Sequence, residues 1–366
     1  MRSRARSPRT PQVSMRRSFT LVELLISISM IALLASMSMF ALFGAMEGAK
    51  QTRTRAQIVK LNELISVKWD EFLARPIRLG LSPSLSPRAV AGSRAAALRE
   101  LMRMELPDRI TDIADGPVSS LKRPALHKAY ERAVRGALGN SWYQNPQPFP
   151  AVTTTGQWSY AHQGAECLYL IVSMMRDGRS TGLDFFMESE IGDVDEDGMN
   201  EILDGWGRPI EWLRWAPGFA TLPGPDEGWG VYDFDDDQDG QKDDIDERGW
   251  PGSDDESELQ SRDATASPDP FDPLKLDPRW VNPTPPNRQP YGLYPLIYSC
   301  GKDGEYAIQA EFDTDPTSTS TMNMFRYASV SNDPYYIIPT TPNSMFGQPV
   351  SSFADDNITN HLLDVE

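Results

Sequence analysis

The chain has 366 residues, 40% of them hydrophobic, enough for one large domain or two small ones. Its 52 acidic residues against 35 lysines and arginines give a net charge of -17, which repels phosphate backbones and argues against nucleic acid as a partner. Two cysteines, Cys167 and Cys300, are too few for a disulfide framework; they read either as one bridge or as two buried small hydrophobes.

The first 18 residues carry six arginines and no acid. An apolar run follows over residues 19–46, in which Glu23 is the only charged side chain. At about 1.5 Å per residue, such a run makes roughly 40 Å of helix. A bilayer core is roughly 30 Å thick, so the run is long enough to cross it. The flanking arginines favour a cytoplasmic leader, which puts the rest of the chain outside, in a periplasm-like space. A secretory signal peptide would have a shorter apolar core followed by a small-x-small cleavage site. Here the run passes instead into an amphipathic stretch, where Ile58, Leu61, Ile65, Trp69 and Phe72 recur at spacings of three and four. One helix is therefore expected over residues 19–73, with Pro76 as its stop and Gly44 and Gly48 as points of looser structure.

The segment Arg16-Arg17-Ser18-Phe19-Thr20-Leu21-Val22-Glu23 resembles the cleavage and methylation signal of type IV pilins and type II secretion pseudopilins. The resemblance implies a cut between Ser18 and Phe19 by a prepilin peptidase that also N-methylates Phe19. It implies that the Glu23 carboxylate pairs with the new amine of a neighbouring subunit. Ser18 departs from the family, which normally has glycine before the cut. Met15 is an alternative start, leaving a short leader of residues 15–18. The expected divisions are a basic leader at 1–18, a membrane and assembly helix at 19–46, its amphipathic continuation at 47–75, and a head at 76–366.

Within the head, residues 79–92 are rich in Pro, Ser and Gly and read as a loop. Residues 93–105 and 121–138 have helical composition, and residues 140–155 read as loop. Residues 161–175 form a better helix, with Ala165, Leu168, Tyr169, Val172 and Met175 on one buried face. His127 and His162 are isolated and read as core or surface residues. The chain's three histidines form no catalytic constellation, and no glycine-rich phosphate loop occurs, so no enzymatic activity is expected.

Residues 193–204 place oxygen donors at loop positions 1, 3, 5, 9 and 12, namely Asp193, Asp195, Asp197, Glu201 and Asp204, with Gly198 at position 6. That is calcium-loop spacing, because calcium takes six to eight hard oxygens in a tight turn that glycine allows. Residues 235–246 repeat the template with Asp235, Asp237, Asp239, Asp243 and Asp246 around Gly240. Both loops end on Asp rather than Glu, and neither has convincing flanking helices. Calcium-stabilised loops are expected here rather than EF-hands.

Residues 210–215 read as a strand following Trp206-Gly207-Arg208-Pro209, and residues 295–306 as strand, glycine turn and strand. These segments are similar to the major pseudopilin of type II secretion, which has a Trp-Gly-x-Pro segment and a strand ending in Ser-x-Gly-x-Asp-Gly. Ser299, Gly301, Asp303 and Gly304 match the latter, with Asp313 and Asp315 as candidates for the family's calcium loop. Residues 253–290 read as an acidic, proline-rich surface excursion, and 355–366 have no assignment. The resemblance implies a pilin-like α+β fold: a long N-terminal helix, membrane-spanning in its first half, packed on a head with a small antiparallel sheet and extra helices and loops. It implies a structural subunit of a periplasmic pseudopilus or pilus-like filament anchored in the inner membrane. Its partners would be the peptidase and N-methyltransferase, other pilin-like subunits, a secretion or pilus assembly platform, and membrane lipid. An exported surface or adhesion protein with a partner-binding head is the alternative.

Overall fold

A computed structural model describes residues 20–80, 84–117, 121–140, 142, 158–159, 161–178, 180–217, 269–276, 280, 292–308, 310, 347 and 352–362. The chain divides into two compact units, Met1–Ala49 and Lys50–Glu366. Helix α1, Leu21–Leu73, contributes residues to both.

In the first unit α1 is apolar and exposed along its length, with none of its most apolar window buried. It is consistent with a membrane-spanning or signal segment. Its four serines each return their hydroxyl to a carbonyl of the same helix: Ser27 to Glu23, Ser29 to Ile26, Ser36 to Leu33 and Ser38 to Leu34, at 2.7–2.9 Å. A helix in hydrocarbon must satisfy its polar groups internally, and these hydroxyls do so.

In the second unit the same helix turns one face inward. Thr54, Gln57, Ile58, Leu61, Ile65, Trp69 and Phe72 are buried, following the three-and-four spacing of the sequence. Helix α2, Pro87–Glu105, begins six residues earlier than its composition suggested. Ser86 caps it by accepting from the Ala89 N–H at 3.2 Å, and Pro87 takes the first helical position, where a missing N–H does no harm. The proline, serine and glycine that suggested a loop over residues 79–92 are in part this helix start. Helix α3, Ile110–Ala114, was not expected; five residues are too few to show a period. Helix α4, Ala125–Leu138, starts after Pro124 and ends at Gly139, whose φ of 85° lies where glycine is favoured. Helix α5 is Gln163–Met174.

Two short hairpins follow: β1, Arg176–Asp177, with β2, Ser180–Thr181, and β3, Ile191–Gly192, with β4, Glu201–Ile202. The larger sheet is antiparallel in the order β5 (Glu211–Pro217), β6 (Leu293–Ser299), β7 (Ile358–Thr359). Trp212 pairs with Ile297, and Tyr298 with Thr359. Among the described residues, the strand expected after the Gly301–Gly304 turn does not join this sheet. Its third strand comes from the C-terminal residues that carried no assignment. Gly301, at φ 61°, makes room for that exchange, because a side chain there would strike the Asp356 backbone. Asp356 in turn accepts the Lys302 and Asp303 N–H groups at 2.8 and 3.0 Å. The architecture is α+β, an N-terminal helix with a packed head of helices and a small antiparallel sheet. Its core includes Ile58, Leu61, Met102, Leu168, Trp212 and Ile297. Cys167 and Cys300 are both buried free thiols, which excludes the bridge between them.

Candidate metal centre

The β3–β4 hairpin pairs Gly192 with Glu201 and closes residues 193–200 into one loop. Gly198, at φ 103°, makes the turn the spacing required, and Glu196 also has a positive φ of 59°. Asp193 organises the loop from inside, accepting the Asp197 N–H at 3.1 Å and the Gly198 N–H at 3.0 Å. Asp197 accepts the Met199 N–H at 2.7 Å and, across the fold, the Ser159 N–H at 2.5 Å. Glu201 accepts the Val194 N–H at 3.0 Å with one oxygen.

These bonds leave a set of carboxylate oxygens unused. Both oxygens of Asp195 and Oε1 of Glu201 are buried without a hydrogen-bond partner. So is Oε1 of Glu166, whose other oxygen accepts the Trp158 indole N–H. Glu166 lies in the first turn of α5 and is fully buried, as is Glu201. The carboxylates form two groups that share Asp195: Asp193 with Asp195 and Asp197, and Glu166 with Asp195 and Glu201. Within each group the donor atoms lie within 4.8 Å of one another. Bringing these acids together disfavours their charged forms. Burial pushes Glu166 well above the usual carboxylate range, and the nearby Asp197 adds to the effect. Burial likewise raises Asp197 to about 6 and Glu201 to about 7, against the backbone hydrogen bonds they accept. At the edge of the site, burial opposes a charged His162, but its 2.9 Å bond to Glu211 and the charges of Glu211, Glu201 and Asp195 together outweigh this and raise its pKa. These clusters could coordinate a divalent cation through hard oxygen donors.

The loop spacing thus brought Asp193, Asp195, Asp197 and Glu201 together, but not Asp204. That carboxylate accepts the Ser299 hydroxyl at 2.6 Å and the Trp206 and Arg208 N–H groups at 2.8 and 3.0 Å. It fastens the Trp-Gly-x-Pro turn to the end of β6, and Arg208 donates to the Gly301 carbonyl at 3.1 Å. The two segments that carried the resemblance in the head are therefore neighbours. Sequence reading missed Glu166, although it is the only acidic or basic residue over 163–174. A lone acid in an apolar helix was the available signal.

At the start of α1, Glu23 has local partners. It accepts the Thr20 N–H and hydroxyl, both at 2.9 Å, while the Thr20 hydroxyl accepts the Glu23 N–H at 3.2 Å. This is a capping box, and Thr20-x-x-Glu23 is its sequence signature. Ser18, Phe19 and the second acidic loop, with Asp235, Asp237, Asp239, Asp243 and Asp246, lie outside the described residues, as do Asp313 and Asp315. No family model matches the chain, and neither curated proteins nor solved structures show significant similarity to it.

Proposed function

We propose that the chain is an exported, membrane-anchored structural subunit of a pilin-like filament, of the type II secretion kind, whose head is fastened by calcium. The observation that carries the reading is α1: one helix, Leu21–Leu73, exposed and apolar in its first half with Glu23 as its only charge there, and amphipathic in its second. A carboxylate at that depth is expensive in lipid unless it has a partner. The capping box supplies a local partner within the single chain. In a filament, the methylated Phe19 amine of a neighbour would take its place. The resemblance of residues 16–23 to a prepilin signal supports processing by a prepilin peptidase and N-methyltransferase. Assembly would then involve other pilin-like subunits and a membrane platform that supplies the work. For the metal, an all-carboxylate donor set suits calcium, magnesium or manganese rather than softer ions. A loop rich in oxygen donors favours calcium, which accepts irregular coordination, over magnesium, which demands near-ideal octahedral geometry.

The test is mass spectrometry of the mature N-terminus from membranes, paired with crosslinking of the wild-type chain and Glu23→Ala. N-methyl-Phe19 and a crosslinked ladder lost in Glu23→Ala are the expected results. An N-terminus elsewhere, or an unchanged ladder, overturns the assembly reading. A head recovered on exposed fibres and bound to a surface partner would favour adhesion.

A further inference from the structure

The carboxylates at the β3–β4 hairpin are more numerous, and differently arranged, than one loop-bound ion needs. Five of them converge: Asp193, Asp195, Asp197, Glu201 and Glu166. Around a single divalent cation, five ionised carboxylates would leave a net charge of -3, more than the neighbouring His162 could offset. They also fall into two triads rather than one shell, and the two share Asp195 alone. The 4.8 Å limit within each triad is about twice a calcium–oxygen distance of ~2.4 Å, so each triad can close on an ion of its own. The inner triad has an independent mark of a built site. Glu166 and Glu201 are both fully buried, and each keeps one oxygen with no hydrogen-bond partner. Leaving such groups bare in the interior is costly, and a cation is the partner their chemistry asks for. Asp195 keeps both oxygens bare, as a carboxylate bridging two ions would require.

We propose that the hairpin holds two divalent cations bridged by Asp195, an outer one on Asp193 and Asp197 and an inner one on Glu166 and Glu201. This inference rests on the calcium reading of the loop and is independent of the anchoring helix. The inner ion joins α5 to the hairpin, making the site a clasp between two elements rather than a stiffener of one loop. The Trp158 N–H, donated to the second Glu166 oxygen, holds that ligand in place.

The test is calorimetric titration of calcium into the chelator-treated full chain in detergent micelles. Asp235, Asp237 and Asp239 are changed to asparagine to silence the second acidic stretch. Two equivalents are expected. Glu166→Gln, close in shape to the native residue, should lose one equivalent and keep the other, and Glu201→Gln should do the same. Asp195→Asn should lose both. Retained tryptophan emission of the metal-free variants identifies folded protein. A single equivalent whose stoichiometry survives Glu166→Gln and Glu201→Gln overturns the two-ion site while leaving the outer loop intact. No binding at all overturns the calcium reading as well. Loss of only one equivalent in Asp195→Asn overturns the bridge.

Discussion

His127 shows how a single buried group makes the head sensitive to acid. It is fully buried, its Nε2–H donates to the Asp112 carbonyl at 2.7 Å, and its Nδ1 accepts the Arg123 Nε–H at 2.6 Å. A second proton on the ring would face Arg123, with Arg103 also near. Burial is the main cause that lowers its pKa below the ordinary 6.5, helped by those two guanidinium groups against the Asp112 carbonyl and carboxylate. The folded state therefore resists a proton that the unfolded chain accepts. The contribution of His127 to stability is complete above about pH 6.5 and is lost as pH falls below it. Urea midpoints of the chelated chain should carry a falling limb as pH drops below about 6.5 that His127→Gln flattens; equal slopes in the two proteins would contradict this. The same network contains Arg214, fully buried, which donates to the Leu106 carbonyl and the Asp112 carboxylate, both at 2.8 Å. Asp112 lies also 3.7 Å from the buried Arg103. Asp112→Ala would strand these cations, and a broken buried pair costs about 3–5 kcal/mol. Asp108, 3.3 Å from Arg214, keeps the loss toward the lower figure. Chemical denaturation measures it, and a loss below 1 kcal/mol would contradict the role given to Asp112.

Among the elements, the seating of the β4–β5 turn on α1 depends on one glycine. Gln57 donates to the Leu203 carbonyl at 2.9 Å, and Thr54 accepts the Gly205 N–H at 2.8 Å. A side chain on Gly205 would meet the Lys50 carbonyl oxygen and lie 2.9 Å from the Lys50 C and Cα atoms, which are backbone and cannot swing aside. Gly205→Ala should therefore destabilise the head by about 1–3 kcal/mol through overpacking. Gly136, exposed within α4 with nothing near it, should behave oppositely. Gly136→Ala should stabilise by roughly 0.5–1 kcal/mol, because a helix interior favours alanine. Denaturant midpoints that move in the same direction for both variants would defeat the argument. The contrast between these glycines is invisible in the sequence, and the same limit governs what could be read in advance. The buried face of α1 was legible because a long helix repeats its pattern many times. The Asp193 loop was legible because its donors are local. Strand β7 has two residues and no period to show, and only the contact between Gly301 and Asp356 explains its place. Glu166 reaches the metal centre from α5, and the Asp204 carboxylate is drawn off by Ser299 on β6. Both are consequences of packing, which spacing along the chain does not encode.

For the whole molecule, the proposed calcium site would make stability a joint function of pH and calcium. Without metal, Asp197 and Glu201 titrate at about 6 and about 7, above their ordinary values of 3.8 and 4.5. The folded state thus holds protons that the unfolded chain has already released. Their stabilising contribution is complete below the ordinary values and is lost as pH rises through 6 and 7. Calcium at this site would bind the deprotonated carboxylates, so it would restore most where protons have been lost and compete with them where they remain. The quantity to measure is the difference in Tm between the calcium-loaded and chelated full chain from pH 5 to pH 8. His127 titrates in both arms and largely cancels from the difference. The gain from calcium should be large at pH 8 and fall away as pH drops through 7 and 6. Acidic residues of ordinary pKa, such as solvated loop aspartates, would instead sustain the gain down to about pH 4. A difference that stays constant from pH 8 to pH 5 would therefore remove the hairpin carboxylates as the source of calcium stabilisation, even if calcium binds elsewhere.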